Sequence, residues 1–327
     1  MFDFVLDPQV KKQPIELLAL YDVIIIGAGP GGLNAALYAK RKGLDILLIT
    51  KTTGGQLLNT NLIDNYLGFN NISGEKLSHA FMEHIISLDV PLLDGVNVEK
   101  ITKENNQFKL VLDDKQIIET KTVIIATGGN PRKLRAIGEE ALIGKGVSYC
   151  AICDGPFYKD KDVLVVGGGN SALEAALDLA KIANSIMIVQ LEESFTADKI
   201  LIDQIIQTKN IRYSLNSEVK EIIGKDETVE QVKYVNRATG EESFVAVDGV
   251  FIEIGVIPNN SLIKELVELN RFGEIIVDND QMSSLSGMFA VGDVTDFPYK
   301  QIITAASQGA VAALSANNYI NKKEQEK

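Results

Sequence analysis

Asp22-Val23-Ile24-Ile25-Ile26-Gly27-Ala28-Gly29-Pro30-Gly31-Gly32 is the stretch whose reading decides the fold. A continuous β-branched run is the mark of a strand buried on both faces. It feeds a glycine turn, then Leu33–Ala39 as a helix and Ile46–Ile49 as a second strand. Strand, glycine turn and helix are the context that a dinucleotide-binding fingerprint needs. Gly27 permits the tight turn, Gly29 lets the backbone approach a pyrophosphate, and Gly32 lets helix and strand pack closely. The phosphates would sit on the helix N-terminus, where free N–H groups and the helix dipole attract anions.

The pattern occurs twice. Asp162–Val166 reads as a strand, Gly167-Gly168-Gly169-Asn170-Ser171-Ala172 as its turn, Leu173–Lys181 as a helix and Ile186–Val189 as the next strand. The interval from first glycine to the end of the second strand is the same in both, Gly27 to Ile49 and Gly167 to Val189. Ala172 replaces the third glycine, an accepted variant. Two such units specify an α/β chain with two Rossmann-like, three-layer dinucleotide-binding domains. In the first unit Thr50 and Lys51 stand where a ribose-binding acid is expected.

Between the two units lies Cys150-Ala151-Ile152-Cys153-Asp154-Gly155, which holds both cysteines of the 327 residues. A CxxC pair with an adjacent acid suits dithiol–disulfide exchange: one sulfur attacks, the other resolves, and the carboxylate moves protons. Three blander readings compete. A structural disulfide over so short a loop restrains little unfolded-state entropy. A zinc site needs four ligands, and the two histidines, His79 and His84, lie far upstream on a helix read at Gly74–Ser87, so no metal is expected. Two unrelated buried thiols remain the third reading.

The rest of the chain frames these motifs. Met1–Leu20 reads as an extension of uncertain structure. Val98–Thr122 reads as a β-meander and Thr122–Gly128 as a further buried strand, with a boundary at Gly129-Asn130-Pro131. Val219–Val250 reads as a β-hairpin region with Ala238-Thr239-Gly240 at a turn. Phe251–Pro258 reads as a strand ending at a second boundary. Gly287–Asp293 places an acid just after a strand, a helix starts near Gln301, and Asn321–Lys327 reads as a frayed charged tail.

Bulk properties narrow the function. A net charge of −12 argues against binding nucleic acid or an anionic membrane surface. No secretory signal or bilayer-length apolar run is visible, and two cysteines without a disulfide framework suit a reducing, cytoplasmic setting.

Taken together, Gly27-Ala28-Gly29-Pro30, Gly54-Gly55-Gln56-Leu57, Ala126-Thr127-Gly128, the CxxC motif, Gly167-Gly168-Gly169-Asn170 and Gly292-Asp293-Val294 resemble the low-molecular-weight thioredoxin reductases. The resemblance covers nearly all of the chain from Tyr21 onward. It implies an FAD-binding domain over 1–129 and 256–327, with the CxxC and nucleotide-binding-like domain, 130–255, inserted in it. FAD would lie on Gly27, Gly29, Pro30, Gly32, Gly55, Gln56, Asn65, Thr127, Gly128, Asp293, Gln301 and Ile302. A nicotinamide nucleotide would lie on Gly167, Gly169, Asn170, Ser171, Gln190 and Glu192. Cys153 would face the flavin, Cys150 would attack the disulfide of thioredoxin or a thioredoxin-like protein, and Asp154 would handle protons. Asp154 also reads as an ordinary first-turn helix acid. A homodimer is implied as well.

The chain departs from that family in one place. NADPH-using members carry a His-Arg-Arg triplet and a further arginine, and here the matching positions are Gln190, Leu191, Glu192 and Thr196. Two like charges about 4 Å apart near a surface repel by roughly 4 kcal/mol, about three decades in affinity. NADPH is therefore disfavoured, leaving NADH or a non-nicotinamide donor such as ferredoxin. The alternatives are a ferredoxin–NAD(P) reductase-like flavoenzyme, for which an intact dithiol would be superfluous, and a flavin-binding redox sensor.

Overall fold

A computed structural model of the chain describes residues 16–60 and 62–326. The expectation for Met1–Leu20 falls mostly outside them. The chain falls into two compact units, Met1–Asn130 with Ile257–Lys327, and Pro131–Val256.

The first unit is built on a seven-stranded sheet. Its strands are β1 (Tyr21–Ala28), β2 (Ile46–Thr53), β3 (Leu92–Asp94), β4 (Val98–Glu104), β5 (Gln107–Leu112), β6 (Ile117–Ile125) and β17 (Met288–Ala290). The order is β3-β2-β1-β6-β5-β4, with β17 also on β6. β1 lies parallel between β2 and β6, which pair Val23 with Ile46 and with Thr122. Alternate residues of β1 enter two cores. Val23 and Ile25 pack with the alanines of α1 (Pro30–Arg41) and α6 (Ile302–Gln325), and Ile24 and Ile26 pack with Phe108, Leu110, Ile263 and Ile275. That explains the unbroken apolar run. Small residues let α1 and α6 approach closely: a Cβ on Gly309 would stand 2.1 Å from the Gly31 carbonyl oxygen.

Two expectations need correction here. The meander's last strand and the following buried strand are one strand, β6. Its first half pairs antiparallel with β5, and its second half pairs parallel with β17. The tail is not frayed: α6 runs to Gln325, held by buried Ile320 and by ion pairs of Glu324 with Lys121 and of Glu326 with Lys323.

The second unit has a five-stranded parallel sheet, ordered β11-β10-β9-β15-β8. These strands are β8 (Val147–Ser148), β9 (Asp162–Val166), β10 (Ser185–Val189), β11 (Ile211–Ser214) and β15 (Gly249–Ile252). On one face Val163 and Val165 meet α4 (Asn170–Leu179) and α5 (Lys199–Gln207). On the other, Leu164 and Val166 meet the antiparallel layer of β12 (Ser217–Lys225), β13 (Thr228–Asn236) and β14 (Glu242–Ala246). Val250, read as the end of a hairpin, belongs to the parallel sheet. The strand expected over Phe251–Pro258 is broken into β15 and β16 (Val256–Pro258), because Gly255 turns the backbone at φ +99°. β16 pairs with β7 (Gly129–Pro131), so the two segments joining the units run side by side.

Candidate active site: a dithiol helix and two glycine turns

The sulfur pair lies at the head of a single helical turn, α3 (Ala151–Asp154), with Cys150 as its N-cap. Cys150 and Cys153 form a disulfide and are half-buried. The Cys153 N–H donates to Cys150 Sγ at 3.2 Å. Pro156 lacks an N–H to continue the helix, and a 3-10 turn over Gly155–Tyr158 follows. Ala151 is buried beneath the motif, while Ile152 stands 64% exposed beside the sulfurs. The Ser148 hydroxyl accepts from the Cys150 N–H at 3.0 Å and also bonds the Asp154 side chain. Asp154 stands in the first turn of α3, where the ordinary reading of it as a first-turn acid also places it. Burial raises its carboxyl above the ordinary range, against the pull of that hydroxyl.

A second carboxylate reaches the same helix. Glu253, in the break after β15, accepts the Ala151 N–H at 3.1 Å. Burial pushes its carboxyl up to about 7, with the Ala151 N–H pulling the other way. Burial also pushes the Tyr158 phenol up to about 12, aided by Asp154 and Asp248. Sequence reasoning missed Glu253. The available signal was an acid interrupting the apolar run Val250-Phe251-Ile252.

In the first unit the glycine turn has the required form. A Cβ on Gly27, at φ +110°, would stand 2.3 Å from the Ala126 carbonyl oxygen, and one on Gly32 1.8 Å from the Gly27 oxygen. Gly29 faces open space, and α1 starts there with Pro30 in its first turn and no side-chain cap. Gly55, at φ +56°, approaches Gly29 to 3.4 Å from its would-be Cβ. Asn65 donates to the Gln301 amide oxygen at 3.2 Å across 236 residues, next to Ile302 at the start of α6. Thr127 bonds the Asn259 carbonyl at 2.8 Å, and Gly128 receives the Asn259 N–H. Gln56 is occupied by protein partners: it donates to the Gly129 carbonyl and the Asn130 side chain, and accepts from Asn59.

Asp293 lies half-buried in a 3-10 turn, and its carboxylate accepts no hydrogen bond among the described residues. Burial raises its carboxyl, offset by the Lys300 charge. Gln308 accepts the neighbouring Gly292 N–H at 2.7 Å, and its Nε2 is buried without a partner among the described residues. Gln308 was not foreseen, because the glutamine sits within an otherwise ordinary alanine-rich helix.

The second turn is tighter than sequence shows. Gly167, at φ +132°, would place a Cβ 2.5 Å from the Glu253 carbonyl oxygen. Gly168 is covered by the Gln190 side chain, 2.4 Å from its would-be Cβ. Gln190 is buried, its Oε1 accepts the Leu191 N–H, and its Nε2 donates to the Ser194 carbonyl. It is a poor candidate for a ribose contact, because both polar ends are spent on its own loop. Asn170 bonds the Asp198 carboxylate and backbone, and Ser171 is exposed in the first turn of α4. Gly169 is the N-cap of α4 and has no side-chain cap. Glu192 and Glu193 are exposed, and neither pairs with a cation among the described residues. The structure does bring one cation to this loop: Arg237, on the β13–β14 turn, donates to the Leu191 carbonyl at 3.1 Å.

Among the described residues no group of three or more His, Cys, Asp or Glu could hold a metal. His79 lies on α2 (Gly74–Ile86) beside Glu83 at 3.4 Å. No helix among the described residues is long and apolar enough to cross a membrane.

Residues 21–309 match the pyridine nucleotide-disulphide oxidoreductase family profile. The chain is 41% identical over 300 residues to an alkyl hydroperoxide reductase component of Staphylococcus aureus strain Mu50, covering 92% of this chain and 59% of that protein. It is 40% identical over 300 residues to NADH dehydrogenase of Bacillus subtilis strain 168, covering 92% and 58%. The chain thus spans less than two thirds of the length of these curated relatives. Among solved structures, thioredoxin reductase from Streptococcus pyogenes is similar at TM-score 0.88 and 39% identity, covering 93% of this chain and 99% of that one. Thioredoxin reductase from Giardia duodenalis is similar at TM-score 0.88 and 30% identity, covering 93% and 100%. With two glycine turns and a CxxC disulfide on an α/β frame, the chain belongs to the pyridine nucleotide-disulphide oxidoreductase family.

Proposed function

We propose that the chain is an FAD-dependent disulfide reductase, passing electrons from a donor through FAD to Cys150–Cys153 and on to thioredoxin or a thioredoxin-like protein. The observation that carries this reading is the half-buried Cys150–Cys153 disulfide at a helix start, flanked by two carboxyls. The solved relatives named thioredoxin reductase support the acceptor.

The residues of the first unit fit FAD. Gly29 opens onto space at an uncapped helix N-terminus, which suits a pyrophosphate. Asp293 and Gln308 Nε2 offer a half-buried acceptor and a buried donor that accept or donate no hydrogen bond among the described residues, as a polyhydroxylated chain with a polar ring needs. FAD supplies two-electron transfer between the donor and the dithiol. The protein's own residues do the rest. In the reduced enzyme Cys150 Sγ attacks the partner disulfide, forming one S–S bond as the partner's other sulfur leaves and takes a proton. Cys153 Sγ then attacks Cys150, restoring the bond seen here and releasing a dithiol. Asp154, raised by burial, holds a proton beside these sulfurs more readily than an exposed aspartate.

For the donor we favour NADH or a non-nicotinamide reductant such as ferredoxin over NADPH. Glu192 and Glu193 oppose a 2′-phosphate, and Glu192 is the residue left to meet a ribose once Gln190 is buried. A relative named NADH dehydrogenase supports NADH. Arg237, bonded to the Leu191 carbonyl, brings one cation to a loop that carries two acids, so the loop stays net acidic. The proposed assembly is a homodimer.

The test is an anaerobic titration of the flavin-loaded protein, followed by flavin bleaching. NADH, or reduced ferredoxin, is expected to bleach it well below the concentration of NADPH required. Bleaching by NADPH at equal or lower concentration would overturn the donor assignment. Cys150→Ser is expected to abolish turnover of a thioredoxin disulfide while leaving flavin reduction intact. Retained turnover would sink the dithiol mechanism and favour a redox sensor.

A further inference from the structure

Glu253 shapes the second glycine turn with its backbone and holds the dithiol helix with its side chain. Its N–H donates to the Val166 carbonyl, and its own carbonyl lies where a Cβ on Gly167 would be, at 2.5 Å. Its carboxylate accepts the Ala151 N–H, one residue from Cys150. It sits at the carboxyl end of β15, next to the carboxyl end of β9, the edge of a parallel sheet at which ligands and reactive groups gather.

We infer that Glu253 is a positioning residue of the redox centre, whose charge sets how readily Cys150 becomes a thiolate. The inference rests on reading Cys150–Cys153 as the exchanging pair. When two electrons, supplied through FAD, break the S–S bond, full reduction to two thiols also takes two protons. With one proton, one sulfur remains a thiolate, the form that attacks a disulfide. An ionised carboxylate at the base of α3 adds a like charge and favours the thiol, whereas a protonated one leaves the thiolate unopposed. Because burial lifts this carboxyl to about 7, the change falls in the neutral range.

The other ionisable groups around α3 are Asp154, whose carboxyl burial raises, Tyr158, whose ring packs edge-on against Phe251, the Tyr149 hydroxyl, which donates to Glu139 at 2.7 Å, and the exposed Lys159, Asp160 and Lys161. Among the described residues only Glu253 bonds a backbone N–H of α3 with a side-chain carboxylate. On the glycine-turn side, α4 carries no charge before Glu174. Across from the break runs Arg132, whose backbone N–H bonds the Gly255 carbonyl, and it forms no ion pair with Glu253 among the described residues.

The test uses flavin-loaded protein with a lone attacking thiol, Cys153→Ser, with and without Glu253→Gln. Iodoacetamide alkylation of Cys150 is followed by mass spectrometry from about pH 5 to about pH 10, spanning the carboxyl and thiol ranges. Glutamine keeps an oxygen for the Ala151 N–H and removes only the charge. The expected C153S profile has two steps, one near neutrality and one for the thiol. The expected C153S/E253Q profile has one step, its midpoint lower by about one pH unit. Superimposable profiles would overturn the inference. So would a one-step profile in C153S alone, which decides the matter if the double variant does not fold. The assay needs neither electron donor nor thioredoxin, so a failure of the proposed reductase activity would appear separately, in turnover.

Discussion

Glutamine at position 253 is expected to stabilise the oxidised protein in a pH-dependent way. The Glu253 carboxyl is raised in the fold from 4.5 to about 7, so between those values the folded state binds more protons than the unfolded chain. Stability is then lost as pH rises through that window. E253Q should therefore be more stable than the parent at pH 8, by about 1–2 kcal/mol after allowing for solvent, with no advantage at pH 4. Calorimetry at the two pH values checks it, and equal differences at both would exclude the buried-carboxyl explanation. Cys150, Cys153 and the turn glycines were legible because their chemistry is written in neighbouring positions. Glu253, Arg237 and Gln308 were not. Glu253 meets Ala151 across 102 residues and Arg237 meets Leu191 across 46, contacts that no local pattern encodes.

Among the helices, α1 and α6 cross at a glycine that leaves no room for a methyl group. A Cβ on Gly309 would collide with the Gly31 carbonyl, a backbone atom that has no rotamer to escape into. Gly309→Ala should cost about 1–3 kcal/mol through overpacking and loosen flavin retention, since α1 starts at the first glycine turn. Melting temperature and the flavin-to-protein absorbance ratio report the two effects. An alanine variant with parental values for both would show that the helices can separate without consequence. The strands of the repeated units were readable because burial on both faces demands apolar runs, and β9 lies where its run lies. Periodicity failed where one strand changes partners, as β6 does, and where a glycine divides an apolar run, as Gly255 does between β15 and β16. The helix α5 escaped notice because Ile200 and Ile206 are exposed while Ile205 is buried, which blurs the amphipathic signal.

Each unit of the whole molecule owns its core. The clusters around Val23 and Ile24 draw only on the first unit, and those around Val163 and Leu164 only on the second. A fragment of residues 131–256 is therefore expected to fold alone, colourless and cooperative, with its disulfide intact. Circular dichroism with a thermal melt checks this, and a fragment without a cooperative transition would mean the cores depend on each other. The repeat of two glycine turns announced this duplication from sequence. The pairing of β7 with β16 was not legible, since neither three-residue strand has a pattern of its own. Among the described residues Asp293 and Gln308 Nε2 have no hydrogen-bond partner, so a cofactor that satisfies them binds the native state and not the unfolded chain. Free ligand at a hundred times its dissociation constant adds about 2.7 kcal/mol to native stability. Where chains that unfold are degraded, the number of surviving copies would follow the vitamin from which the flavin is made, and scarcity of that nutrient would remove the protein before it removed the activity of any one molecule.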